Sequence, residues 1–135
     1  MIPVELKMLA FAAILALVQI YLAAMPRMLS SGTDWAAGAR DAPPAPVPVW
    51  AQRADRAARN MLETFPIFAA LAVGVVAAGV SDGVSAMGSV IYLVARVLYV
   101  PAYIFPIYMV RSLIYFAAII GILMVGWPLL AGPMS

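Results

Sequence analysis

Arg53–Pro66 reads RADRAARNMLETFP, and it opens a hydrophobic run in a chain that carries only eight basic and six acidic residues. Within it Arg56, Arg59, Asn60 and Glu63 recur at steps of three and four, the spacing that gathers side chains on one face of a helix. Phe65–Val80 follows without a charge, so that face enters an apolar segment instead of turning away from it. Polar side chains driven into lipid are costly, which makes the stretch a candidate functional site. The simpler reading is a collar of charge anchoring a membrane helix at its interface, but a collar has no need of Asn60 and Glu63.

Outward from that stretch, four runs lack charge or nearly so: Met8–Met25, Phe65–Ser81, Gly88–Val110 and Ser112–Leu130. Each has about the 17–23 residues that a helix needs to cross a ~30 Å hydrocarbon core. Hydrophobic residues make up 66% of the 135, and the mean hydropathy is +1.02. Period-two alternation is absent from all four runs, which argues against a membrane β-barrel. The reading is an all-α integral membrane protein, a four-transmembrane-helix bundle in a single membrane domain over residues 1–135, with helices near 8–25, 55–80, 88–106 and 111–130. There is no Cys and no His, which removes disulfides, the usual metal clusters and the commonest general base; no metal site is expected. The net charge of +2 sits beside membrane helices and is no argument for a nucleic-acid partner; the partner it implies is the lipid bilayer.

Met8–Met25 has the small residues of a cleavage point at LAAMP, but it is longer than a signal core and its leading charges, Glu5 and Lys7, cancel. A retained first helix is expected, with Gln19 in a buried interhelical hydrogen bond. Pro26–Gln52 is the one long connection. Its PPAPVPVW favours an extended spacer back to the membrane surface, with Trp35 and Trp50 as interfacial anchors. Ser81–Met87, SDGVSAM, reads as a short turn. In the third run Arg96 lies near mid-membrane, where an unpaired Arg costs at least ~2.5–3.5 kcal/mol; Glu63 is its expected partner. Tyr92, Arg96, Tyr99 and Tyr103 share a face by their four-three-four spacing, and a tyrosine stripe centred on a buried Arg suggests a polar pocket. Arg111, Ser112 and Tyr115 open the fourth run. The first and third loops carry the arginines and the second has none, so the positive-inside rule puts both termini outside the cytoplasm.

Three blocks then stand in order: RAARNMLETFPIF at Arg56–Phe68, ARVLYVPAY at Ala95–Tyr103 and RSLIY at Arg111–Tyr115. They resemble, in turn, the R-A-x-R-N-x-x-E, A-R-x-x-Y-x-x-x-Y and R-S-x-x-Y segments of the MAPEG family, the membrane-associated proteins of eicosanoid and glutathione metabolism. The resemblance covers roughly residues 8–130 and looks like a bacterial-type member, hence of the inner membrane. It implies a homotrimer of four-helix bundles that binds glutathione, as cosubstrate, between subunits near the cytoplasmic face. By motif it implies glutathione contacts from Arg56, Arg59, Asn60, Glu63, Tyr99, Tyr103, Arg111, Ser112 and Tyr115, with Arg111 and Ser112 acting on the thiol and Arg96 structural. Arg27 is similar to a basic residue at the end of the family's first helix, though no motif fixes that alignment. At Tyr99 the prostaglandin synthase branch has His, which points away from that isomerase activity. The Tyr103–Arg111 spacing differs by a residue from the eukaryotic branches, and Pro101 is expected to bend the third helix.

The chemistry suits those residues. Arginines and Glu63 match the two carboxylates and the ammonium of glutathione. A thiol of pKa about 8.5 is only ~3% thiolate at pH 7, and a shift of two units makes it roughly three-quarters thiolate. The expected activity is a glutathione-dependent transferase or peroxidase acting on a hydrophobic small-molecule electrophile or lipid peroxide. The competing readings are a non-catalytic lipid-binding or scaffold member of the same family and a small four-helix exporter; the second would carry a membrane carboxylate in its first helix, and Met8–Met25 has none.

Overall fold

The computed structural model describes residues 1–133, and the elements it holds are all helical. In chain order they are α1 (Val4–Ser31), the short α2 (Thr33–Ala37), α3 (Val49–Ala77), α4 (Gly83–Ile104) and α5 (Tyr108–Ala131). The four long helices have the length and hydropathy to cross a membrane. Their outward residues, among them Phe11, Ile14, Val73, Val94, Leu98, Phe116 and Leu123, are large and exposed. That is the expected surface of a bundle solvated by lipid instead of water.

α1 and α5 outrun their apolar runs at both ends, whereas α3 and α4 begin earlier than theirs and end sooner, at Ala77 and Ile104. Pro48 caps α3 with a φ of −56° and a still extended ψ of 154°, and its carbonyl accepts from the backbone of Ala51 at 3.0 Å and of Gln52 at 3.2 Å. A proline that needs no donor of its own starts α3 six residues before Asp55. The SDGVSAM segment is not a turn throughout. The Asp82 carboxylate accepts from the backbone N–H of Val84 at 2.9 Å and of Ser85 at 2.8 Å, and Ser85 Oγ accepts from the Asp82 N–H at 3.0 Å. This reciprocal cap begins α4 at Gly83, five residues earlier than the apolar run suggested. Ser85 Oγ also donates to the buried carboxylate of Glu5, tying the first turn of α1 to the first turn of α4.

Alanine, glycine and two aromatic rings make the core. Phe68 and Tyr92 stack with centroids 4.1 Å apart, among buried Ala12, Ala16, Ala72, Val75 and Val125. The most extensive pairing joins α4 to α5, and α1 lies mainly along α3. The α4–α5 approach is close because Gly88 and Gly121 meet: a Cβ on Gly88 would stand 2.6 Å from the Gly121 carbonyl oxygen, and one on Gly121 would stand 2.7 Å from that of Gly88. Side-chain-free backbones packed this way are a membrane-bundle device. Each long helix contains a proline (Pro26, Pro66, Pro101 and Pro128) and continues through it.

Gln19 is buried, but its Oε1 has no hydrogen-bond partner among the described residues. The expected interhelical bond to that oxygen is not made. In the long connection Trp35 Nε1 donates to the Ala42 carbonyl at 2.7 Å, and the Ala45 N–H donates to Ser31 Oγ at 2.9 Å. These bonds fold the segment back over the end of α1 and deliver Pro48 to the start of α3.

Candidate functional site

The polar stripe on α3 is an arc rather than a line. At about 100° per residue, Asn60 falls at one edge of it, Arg59 at the other, and Arg56 and Glu63 between them. The edges pack against different helices. On the α4 side, Asn60 and Thr64 meet Arg96; on the α1 side, Asp55 accepts from Arg27 at 3.0 Å and from Arg59 at 3.0 Å. The middle of the arc, with Arg56 and Glu63, is exposed.

This division overturns the Glu63–Arg96 pair. Arg96 is 1% exposed and places its guanidinium on neutral oxygens. Nη1 donates to Asn60 Oδ1 at 2.8 Å, and Nη2 donates to Asn60 Oδ1 at 2.9 Å, to the Asn60 carbonyl at 2.7 Å and to Thr64 Oγ1 at 2.8 Å. Thr64 Oγ1 lies in turn 3.2 Å from Tyr92 Oη. Charge-assisted bonds of this kind are about twice as strong as neutral ones, and three neutral oxygens share the cation where a single carboxylate was expected to hold it. Only Nε is left without a partner. Glu63 sits about 60° round the helix from Asn60, on the exposed face. The oxygens of Thr64 and the Asn60 amide were the missed signal: a Thr one turn beyond an Asn is a polar pair at i, i+4 facing the same neighbour.

Arg96 also lies behind a run of tyrosines. Its Cζ is 5.1 Å from the Tyr99 ring centroid and 5.9 Å from that of Tyr92. The Tyr99 and Tyr103 rings are 5.6 Å apart, and Tyr103 is flanked by Arg111 at 4.9 Å and Arg56 at 5.9 Å. A cation over an aromatic face is attracted by the ring quadrupole, more strongly where water is thin. The expected tyrosine face therefore exists, and it carries positive charge from α4 to the entry of α5. Nearby, Arg53 Nη1 donates to the Ile104 carbonyl at 3.2 Å and closes the last turn of α4.

A cavity of about 300 Å³ opens at this end of the bundle, lined by Asn60, Tyr99, Arg111, Ser112, Tyr115 and Phe116. Three helices contribute, and every polar group they bring is a donor, an amide or a hydroxyl. Ser112 is exposed, and Arg111 and Tyr115 are half-buried. Of the nine residues named from the motifs, five line this cavity, and Tyr103 and Arg56 form its aromatic and cationic flank. Arg59 does not reach it. That side chain is 70% exposed and lines a second cavity of about 230 Å³ between α1 and α3, with Arg27, Asp55 and Ala58 among its neighbours. Glu63 lines neither. Asp55, which gathers two arginines, was not singled out in the sequence although it lies a turn before Arg59.

Along the α4–α5 seam runs an apolar groove of about 270 Å³, lined by Val90, Ile91, Val94, Ala95, Leu98, Ile114 and Ala117. The groove and the polar cavity both draw on α4 and α5 but share no lining residue. No curated protein and no solved structure matches the chain. A family model does: that of the MAPEG family matches residues 8–131. The match takes in all four membrane-capable helices together with the arginine-rich entry of α3, the tyrosines of α4 and the Arg111–Tyr115 block, and the chain therefore belongs to the MAPEG family.

Proposed function

We propose that this membrane protein binds glutathione and holds its sulfur as a thiolate for attack on a hydrophobic electrophile or lipid peroxide. The observation that carries the reading is the single cavity in which Arg111 and Ser112, from the first turns of α5, stand with Tyr115, Tyr99 and Asn60. Arg111 supplies a permanent charge at the membrane boundary, and the Ser112 hydroxyl can donate to a sulfur anion at little desolvation cost. Lowering a thiol pKa from about 8.5 by two units raises the thiolate fraction at pH 7 by roughly 25-fold. A lipid-dissolved partner would reach that sulfur from the membrane side, where proximity adds to reactivity.

The ligand has more charge than one cavity answers. Arg59 with Arg27, and Glu63 on the exposed arc, lie on other faces of the same subunit. Counted at 1.5 Å per residue from Ala77 across a ~30 Å core, Glu63 lies about 9 Å inside the hydrocarbon and Arg59 nearer its edge, and an exposed carboxylate at that depth is costly against lipid. We place this face against a neighbouring copy in a homotrimer, so that each glutathione is held by the Arg111 cavity of one subunit and the Arg59–Glu63 face of the next. Calorimetry of the purified protein with glutathione tests the binding. The ultraviolet absorbance of bound thiolate tests the chemistry: Arg111→Ala should keep most of the affinity while losing that absorbance and about 25-fold in conjugation rate. Unchanged absorbance and turnover would remove Arg111 from the mechanism and turn attention to Arg59 or Arg27.

A further inference from the structure

Arg96 never reaches the cavity, yet it touches two of the residues that line it. An arginine has only donors. Two of them, Nη1 at 2.8 Å and Nη2 at 2.9 Å, converge on Asn60 Oδ1, so the amide oxygen must face Arg96 and the amide nitrogen must face away. Asn60 is half-buried and lines the cavity. With the oxygen taken, what the amide can offer the cavity is its N–H₂. The backbone carbonyl of Asn60, 2.7 Å from Nη2, is likewise occupied. Thr64 Oγ1 accepts from the same guanidinium at 2.8 Å, which fixes Arg96 from a second point and stops it following the amide if that were to turn.

We infer that Arg96 is a positioning residue: it locks the Asn60 amide with its nitrogen toward the cavity, so that the α3 wall donates and selects a ligand group that accepts there. With Arg111 and the hydroxyls of Ser112, Tyr99 and Tyr115 this leaves no carboxylate among the lining residues, and the cavity takes an anionic or carbonyl-bearing end of its ligand. A free asparagine would present either end of its amide and discriminate poorly; an unpaired polar group left facing the wrong way is what penalises the wrong ligand. The inference rests on the glutathione reading for the ligand used to test it, and not for the lock itself.

Asn60 is the chain's only asparagine, so protein made with isotope-labelled asparagine yields one side-chain N–H₂ signal in a nuclear magnetic resonance spectrum. In detergent-solubilised wild type that pair should be sharp and should shift on saturation with glutathione. Arg96→Lys, which offers one ammonium in place of a planar fork, should move the pair toward the position of a free amide and weaken glutathione binding about fivefold to tenfold. Should that variant not fold, Asn60→Asp carries the test: it retains Arg96 as a partner, so thermal stability should hold, while the lost donor should weaken binding at least tenfold. Thr64→Val leaves the guanidinium on Asn60 but removes its second anchor, and should lower stability and weaken binding less than Arg96→Lys does. Wild-type affinity in Asn60→Asp, or an amide signal indifferent to bound glutathione, would overturn the inference. Wild type that binds no glutathione at all would instead sink the glutathione reading, and the amide position in Arg96→Lys would still decide the lock.

Discussion

Arg96 is buried in the bundle with its guanidinium on the neutral oxygens of Asn60 and Thr64. Charge suggested Glu63, the only carboxylate at similar depth, but an Arg with five donors is satisfied by several neutral oxygens at less desolvation cost than by one buried carboxylate. Asn60 and Thr64 supply those oxygens because they lie on the α4 edge of α3, whereas Glu63 lies on its exposed face. Stability measurements should separate the two accounts. Glu63→Gln should change unfolding free energy by no more than about 0.5 kcal/mol, as surface substitutions usually do. Thr64→Val removes a buried acceptor from a cation and should cost about 1.5–3 kcal/mol. A large loss in the first and none in the second would restore the carboxylate pair. At this scale the three motifs named Asn60, Tyr99, Arg111, Ser112 and Tyr115, and these five line one cavity. What it hid was the sorting of the α3 residues between two faces, because a three-and-four spacing defines an arc about 100° wide and not which helix meets either edge.

At the scale of the helices, hydrophobic runs located all four membrane spans, and caps decided where they begin. Apolar patterning reports the part of a helix that lipid or core solvates; Pro48 and Asp82 act outside that part and lengthen α3 and α4 by local geometry. Asp82→Ala should therefore fray only the first turn of α4, at a cost of about 1 kcal/mol, seen as faster amide exchange at Val84–Ala86. The glycines are a harsher constraint. Gly88 and Gly121 each stand where a Cβ would come within 2.7 Å of the other's backbone. Gly121→Leu should force α4 and α5 apart and lose the cooperative thermal transition, while Gly32→Ala, with open space around its Cβ, should cost little more than the strain of its positive φ. Equal effects from the two would mean that the close crossing is not what holds the bundle. Neither glycine was distinguishable in the sequence, since Gly in an apolar run reads the same whether it faces lipid or another backbone.

For the whole molecule, the basic residues and the two half-sites argue about different things. Arg27, Arg53, Arg56, Arg59 and Arg111 gather at one end of the bundle, whose opposite end is pinned by Glu5 and Ser85. Positive loops remain in the cytoplasm, so both termini should face outward, and a reporter active only in the cytoplasm should be silent at either end. Signal from both ends would invert the arrangement without touching the site. Assembly is the stronger test of function, because Arg111 and Arg59 line separate cavities of one chain. A purified particle of three times the 14.3 kDa chain, after correction for detergent, is expected. The decisive experiment mixes two inactive variants. Arg111→Ala removes the thiolate-stabilising charge from one half-site and Arg59→Ala the binding charge from the other, so a trimer made of either variant alone should show no thiolate absorbance. In mixed trimers assembled at equal ratio, a site is intact only where an Arg59→Ala subunit contributes its Arg111 cavity and an Arg111→Ala neighbour contributes its Arg59 face. With random cyclic assembly that holds at about a quarter of the interfaces. Recovery of roughly a quarter of the wild-type thiolate absorbance is therefore the expected result. A mixture as silent as its components, from particles shown by a different affinity tag on each variant to contain both, would mean that each chain builds its site alone, and the proposed sharing between neighbours would be wrong.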